Sequence, residues 1–153
     1  MPEIKVSRSR SVSAAPEAVY RVLADYHEGH PSILPRPPFG GLVVERGGYG
    51  AGTVIRFEMT SFGRTETSRA EVTEPAPGIL VETVPERGLV TTFTVTPSGP
   101  GSLVTIDTVW TTPGLRGWLE RIVAPAYLRK VYAAELERLD QRSSQPPPPN
   151  STP

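Results

Sequence analysis

The chain has 153 residues and a mass of 16.6 kDa, with 37% hydrophobic and 21% charged residues, which suits one domain around one core. Sixteen Lys and Arg balance sixteen Asp and Glu, and neither sign forms a run, which argues against a nucleic-acid groove or a polybasic membrane contact. Cysteine is absent, which removes disulfides, Cys-ligated zinc, iron–sulfur clusters and thiol catalysis.

Ile4 to Val12 alternates as a first strand. Ala14-Ala15-Pro16-Glu17 then places a proline and an acid where a first helical turn wants them. Val19, Tyr20, Val22, Leu23 and Tyr26 recur at helical spacing and predict one buried face, with Gly29 and Pro31 as the stop. His30 to Pro38 contains four prolines and reads as a loop with at most one helical turn around Ser32-Ile33-Leu34. From Phe39 to Thr112 the pattern changes to period two. Breaks at Gly47-Gly48, Ser61 to Gly63, Pro75 to Gly78, Pro85 to Gly88 and Pro97 to Gly101 divide it into six strands. Ile55, Phe57 and Met59 share one face of the second of these, Leu89, Thr91, Phe93 and Val95 one face of the fifth, and Val104, Ile106, Thr108 and Trp110 one face of the sixth, so one side of the sheet is covered.

Gly114 to Arg142 is the longest helical segment, with Leu115, Leu119, Ile122, Leu128, Tyr132, Leu136 and Leu139 along one side. Pro125 inside it predicts a kink rather than two separate helices. Ser143 to Pro153 has four consecutive prolines and nothing aliphatic or aromatic to bury, so residues 1–142 read as the domain and 143–153 as a disordered tail. No apolar run reaches the roughly 18 residues of a membrane span. Without such a span or a leader pattern, a cytoplasmic location is expected, and an excess of Arg over Lys, 14 to 2, is in keeping with a GC-rich bacterial genome.

The order of strand, short helices, six strands and long helix resembles the helix-grip fold of the START-like (SRPBCC) superfamily. Ser11-Val12-Ser13-Ala14-Ala15-Pro16-Glu17-Ala18-Val19-Tyr20-Arg21-Val22-Leu23-Ala24-Asp25-Tyr26 looks like the first strand-to-helix junction of its bacterial polyketide cyclase/dehydrase-like branch. Gly50-Ala51-Gly52-Thr53-Val54-Ile55-Arg56-Phe57, Arg69-Ala70-Glu71-Val72-Thr73-Glu74-Pro75 and Leu103-Val104-Thr105-Ile106-Asp107-Thr108 continue the likeness. It implies an α+β, Bet v 1-like architecture: a seven-stranded curved antiparallel sheet around a long C-terminal helix, with one or two short helices after strand 1. It also implies a cavity between sheet and helix.

Small residues on the covered face should mark that cavity. Glu66, Ser68, Ala70 and Val72 form one such set, unless a bulge after Gly63 turns Glu66 to solvent. A carboxylate inside would be neutralised or driven to a partner. Asp25, Tyr26, His27 and His30 cluster where the first helix ends. His30 reads either as a helix cap, with His27 solvated, or as a hydrogen-bonding group at the cavity mouth. Two histidines without a third fixed ligand make a poor metal site, so neither a metal nor another cofactor is expected. Gly47 to Gly52 lacks the Lys-Ser/Thr ending of a nucleotide loop and reads as a hairpin beside the cavity. There is no Gly-x-Ser-x-Gly elbow for a hydrolase.

Three functions follow. In the first, the cavity binds a small hydrophobic or aromatic molecule through Tyr26, His30, Phe57, Met59, Glu66, Ser68, Thr91, Phe93, Thr108, Trp110, Trp118 and Ile122, with no nucleic-acid partner and an oligomeric state the sequence leaves open. In the second, a polyketide cyclase or dehydratase type of enzyme uses Glu66 or His30 as general base and Tyr26 as acid. In the third, the cavity is filled by its own side chains and the protein is an interaction module.

Overall fold

The computed structural model describes residues 3–61, 63–111 and 114–145, with the side chains of 61 and 114–123 outside the description. Within it, β1 (Glu3–Val12), β2 (Phe39–Arg46), β3 (Val54–Ser61), β4 (Arg64–Ala76), β5 (Ile79–Val84), β6 (Leu89–Ser98) and β7 (Gly101–Thr111) form one antiparallel sheet. Its strand order is β1-β7-β6-β5-β4-β3-β2. β2 to β7 are thus a meander, each strand beside its sequence neighbour, and β1 closes on β7. Two short helices, α1 (Pro16–Ala24) and α2 (Gly29–Ile33), follow β1, and α3 (Gly114–Ser143) ends the domain. This is the helix-grip arrangement that the order of elements predicts. None of the described helices is long and apolar enough to cross a membrane.

Several boundaries differ from the sequence expectation. α1 stops at Ala24 because the Asp25 side chain accepts the N–H groups of His27, Glu28 and Gly29 at 3.1, 3.3 and 3.2 Å. A carboxylate that gathers the next backbone donors favours a turn over a continued helix. The chain then restarts as α2, with Pro31 in its first turn, where a missing N–H costs nothing. β4 and β6 also run past Pro75 and Pro97 to Ala76 and Ser98, since both prolines lie near strand ends. α3 continues through Pro125 as one helix. Of the expected tail, Ser143 belongs to α3, and residues 146–153 lie outside the description.

Period two in the strands decides which side chains face α3. One cross-strand row runs Val72, Glu82, Thr91, Thr108 and Val6 through the ladders of β4, β5, β6, β7 and β1. The next rows carry Leu80, Phe93 and Ile106, all 2% exposed or less. From the other side α3 presents Val131, Tyr132, Leu136 and Leu139, and α1 presents Val19 and Leu23, closing one hydrophobic core.

The C-terminal end of α3 is anchored to the chain between β1 and α1. Asp140 accepts from the backbone N–H and hydroxyl of Ser13, both at 3.2 Å, and pairs with Arg10 at 3.3 Å. Partial burial tends to raise the Asp140 carboxyl, but the Ser13 hydrogen bonds and the Arg10 charge outweigh it and hold the group below its ordinary value.

Candidate ligand cavity

Sheet and α3 do not meet everywhere. Between them lies a cavity of about 120 Å³. Phe57, Met59, Phe93 and Trp110 of the sheet border it, as do Phe39 and Leu42 of β2 and Leu128 of α3. Ala70, at 1% exposure, contributes only a methyl group where its neighbours contribute larger side chains, and this leaves part of the space open. An apolar cavity of about 150 Å³ holds benzene, so the space suits a single small ring.

Six polar side chains reach this apolar wall: His30, Glu82, Thr91, Thr108, Tyr132 and Glu135. Thr91 and Thr108 are cross-strand partners whose hydroxyls lie 2.9 Å apart, and the Thr108 hydroxyl lies 2.6 Å from that of Tyr132 on α3. Burial pushes the Tyr132 hydroxyl up, against the lowering effect of its bond to Thr108, so it remains a neutral phenol. The chain of hydroxyls joins sheet to helix across the cavity floor.

A second group forms around His30. Its Nδ1 lies 2.8 Å from the carbonyl oxygen of Leu23. A carbonyl only accepts, so Nδ1 carries the hydrogen and Nε2 is the atom that can exchange a proton. Nε2 faces Glu82 Oε2 at 3.5 Å, and the same oxygen accepts the Tyr26 hydroxyl at 2.7 Å. Tyr26 also stacks on the imidazole, 4.5 Å between centroids, while Phe93 meets it edge-on at 5.3 Å. Burial, then the charge and hydrogen bond of Glu82, hold the Tyr26 hydroxyl well above its ordinary value, so it stays a donor.

The position of His30 rests on Gly29. A Cβ at Gly29 would stand 2.5 Å from the carbonyl oxygen of Val22. Only glycine lets α2 approach α1 closely enough for the imidazole to reach Leu23.

Glu135 stands apart from both groups. It is 2% exposed, borders the cavity and accepts no hydrogen bond from the described residues. Burial first, and then the negative charge of Glu82, raise its carboxyl well above the ordinary range.

Of the residues singled out from sequence, His30, Phe57, Met59, Thr91, Phe93, Thr108 and Trp110 border the cavity. Tyr26 is fully buried behind His30 and does not border it. His30 Nδ1 bonds a carbonyl of the last turn of α1, and the residue borders the cavity. His27 is exposed beside Gly48, away from His30. Ser68 is buried but points to Arg87, whose Nε donates to its hydroxyl at 2.9 Å. Glu66 lies outside the cavity, exposed and paired with Arg87 at 2.5 Å. No bulge puts it there: β3 and β4 pair in unbroken register from Val54↔Glu71 to Ser61↔Arg64. Glu66 keeps the face of Ser68 and Ala70, but lies at the end of the strand beyond the cover of the core. The side chains of Trp118 and Ile122 lie outside the description.

The loop Gly47 to Gly52 does not border the cavity. It is tied to the end of α1 by Tyr26 N–H to Gly48 O and Gly50 N–H to Ala24 O, both at 2.9 Å. Glu82 and Glu135 were missed, although the spacing signals both. Glu82 alternates with Leu80 and Val84, and Glu135 stands seven residues after Leu128 and four before Leu139, on the buried stripe of α3.

The model of the family described as polyketide cyclase / dehydrase and lipid transport matches residues 3–144. The chain is similar to the KanY protein, solved by NMR, at 31% identity, covering 95% of this chain and 100% of that one with a TM-score of 0.84. A Thermus thermophilus protein is 23% identical, with 93% and 97% covered and a TM-score of 0.73. The ZhuI aromatase/cyclase of a Streptomyces species is 21% identical, with 93% and 94% covered and a TM-score of 0.70. No protein of curated function matches the chain. With nearly its whole length matched by the family model, the chain belongs to the polyketide cyclase / dehydrase and lipid transport family.

Proposed function

We propose that the protein binds a small hydrophobic or aromatic molecule in the cavity between the sheet and α3. The observation that carries this reading is a 120 Å³ space, walled by Phe39, Phe57, Phe93, Trp110 and aliphatic side chains, that no side chain among the described residues fills. Burying roughly 200 Å² of ligand surface there would contribute about 5 kcal/mol before association costs, enough for weak binding by shape alone. The unfilled space weighs against an interaction module with a solid interior.

Extraction of the freshly purified protein and mass analysis of what it holds tests the reading, together with titration of toluene into wild type and Ala70→Leu. Toluene should bind the wild type and should fail to bind Ala70→Leu, whose larger side chain occupies the space, while that variant stays folded. Equal binding by both, or no binding by the wild type, would overturn it.

A second reading, catalysis of the cyclase or dehydratase type, is favoured by His30, which borders the cavity with Nε2 toward Glu82 and its tautomer set by Leu23. In such an enzyme His30 would act as general base and Glu82 would orient it; Glu66 is too far outside to take that role. Turnover of an added polyketide substrate that disappears in both His30→Gln and Glu82→Gln would support it. The modest cavity, with room for one ring, favours the binding reading over it.

A further inference from the structure

Building on the cavity as a binding site, we infer that its occupant carries a positively charged head, an ammonium group on a small ring, received by the carboxyl groups of Glu135 and Glu82.

The other five hydroxyl, carboxyl and imidazole side chains at the cavity wall have partners among the described residues. Glu82 accepts from Tyr26 and faces His30, His30 is bonded to Leu23, and Thr91, Thr108 and Tyr132 are bonded to one another. Glu135 alone among them, 2% exposed and bordering the open space, accepts no hydrogen bond from the described residues. Buried polar groups are almost always satisfied, and the partner missing here is one that would come from the cavity itself. No Lys or Arg among the described residues borders the cavity, while two acids do.

The charge balance selects the sign. The ionisable groups facing Glu135 are Glu82 from β5, His30 from α2, Tyr26 from the segment between α1 and α2, and Tyr132 from α3 itself. The two tyrosines are neutral, and the Nε2 of His30 is directed to Glu82. In the empty cavity a proton on Glu135 occupies the place a cation would take, because desolvation and the charge of Glu82 both favour it. An ammonium ligand replaces it: the Glu135 O–H bond breaks, the proton leaves to solvent, and the carboxylate accepts from the ligand N–H. The rings of Phe39, Phe57, Phe93 and Trp110 border the same space, and aromatic rings attract a cation placed over them. An anionic ligand would add a carboxylate beside Glu82 in a site that no Lys or Arg among the described residues borders.

Calorimetric titration of benzylamine, benzyl alcohol and benzoate near neutral pH, in two buffers of different ionisation enthalpy, tests the inference. Benzylamine should bind about tenfold or more tightly than benzyl alcohol, with release of up to about one proton, and benzoate should bind most weakly. Benzylamine affinity should fall as the pH is lowered. Glu135→Gln should abolish the preference for benzylamine over benzyl alcohol and the proton release. The inference is overturned if benzylamine binds wild type no tighter than benzyl alcohol, if the preference survives in Glu135→Gln, or if benzoate binds best. The three wild-type titrations stand even if the variant does not fold. Binding of benzyl alcohol without a benzylamine preference removes only the cationic head. Failure of all three and of toluene removes the cavity reading as well.

Discussion

The imidazole of His30 donates through Nδ1 to the carbonyl oxygen of Leu23 at 2.8 Å, and so turns Nε2 toward the Glu82 carboxylate. One side chain thereby closes the end of α1 and sets a ring nitrogen beside Glu82 at the cavity wall. Replacing it acts on both. His30→Ala removes the bond to Leu23, the stack on Tyr26 and the edge contact with Phe93. Denaturant unfolding should show a loss of about 2–4 kcal/mol; a loss below about 0.5 kcal/mol would mean that the cap and stack contribute nothing net.

Gly29→Ala should disturb the same residue without touching its chemistry. The added methyl meets the Val22 carbonyl oxygen, which is backbone and cannot swing aside. α2 must therefore shift away from α1, at a cost of about 1–3 kcal/mol. The amide and ring resonances of His30 should move in NMR spectra of the variant. Unchanged His30 resonances would show that α2 has slack.

Glu135→Gln should stabilise the protein at neutral pH. The Glu135 carboxyl has a higher proton affinity folded than unfolded, so folding takes up a proton above about pH 4.5, the ordinary value of the group. Stability then falls as the pH rises above that point until Glu135 itself ionises. Gln carries no such penalty. The variant should gain about 1–3 kcal/mol at pH 7 and lose that advantage below about pH 4.5, as read from unfolding midpoints across a pH series. An advantage independent of pH would show that desolvation of the acid is not its cause.

Asp140→Asn should behave in the opposite sense. The Asp140 carboxyl is held below its ordinary value of 3.8, so its contribution is present above that pH and disappears as the pH falls through the lower folded value. The pair with Arg10 is partly solvent-screened, and the loss at neutral pH should be about 0.5–1 kcal/mol. Equal stability of variant and wild type at pH 7 would show the anchor to be energetically silent.

Glu66→Gln should leave ligand titrations unchanged, because the side chain pairs with Arg87 outside the cavity. A similar change at Glu82 should alter them. A response at Glu66 comparable to that at Glu82 would mean that the cavity extends further along β4 than the described residues indicate.

Much of this molecule was legible from the chain because the information is local. Period two with glycine and proline breaks located the strands, and parity alone assigned Ile55, Phe57, Phe93 and Trp110 to the covered face. That face is a property of the strand, independent of its neighbours. Parity could not say how far the cover extends, and so Glu66 and Ser68 shared the face of Ala70 without sharing its surroundings. The end of α1 depended on which way the Asp25 carboxylate turned, and the position of His30 on how closely α2 approaches α1. The residues that give the cavity its chemical character, Glu82 and Glu135, come from β5 and α3, more than fifty positions apart in the chain. Their charges interact only because the sheet curves around the helix. Sequence periodicity fixes which side of an element is buried, but the electrostatic environment of a buried group is made by whatever the fold brings opposite it.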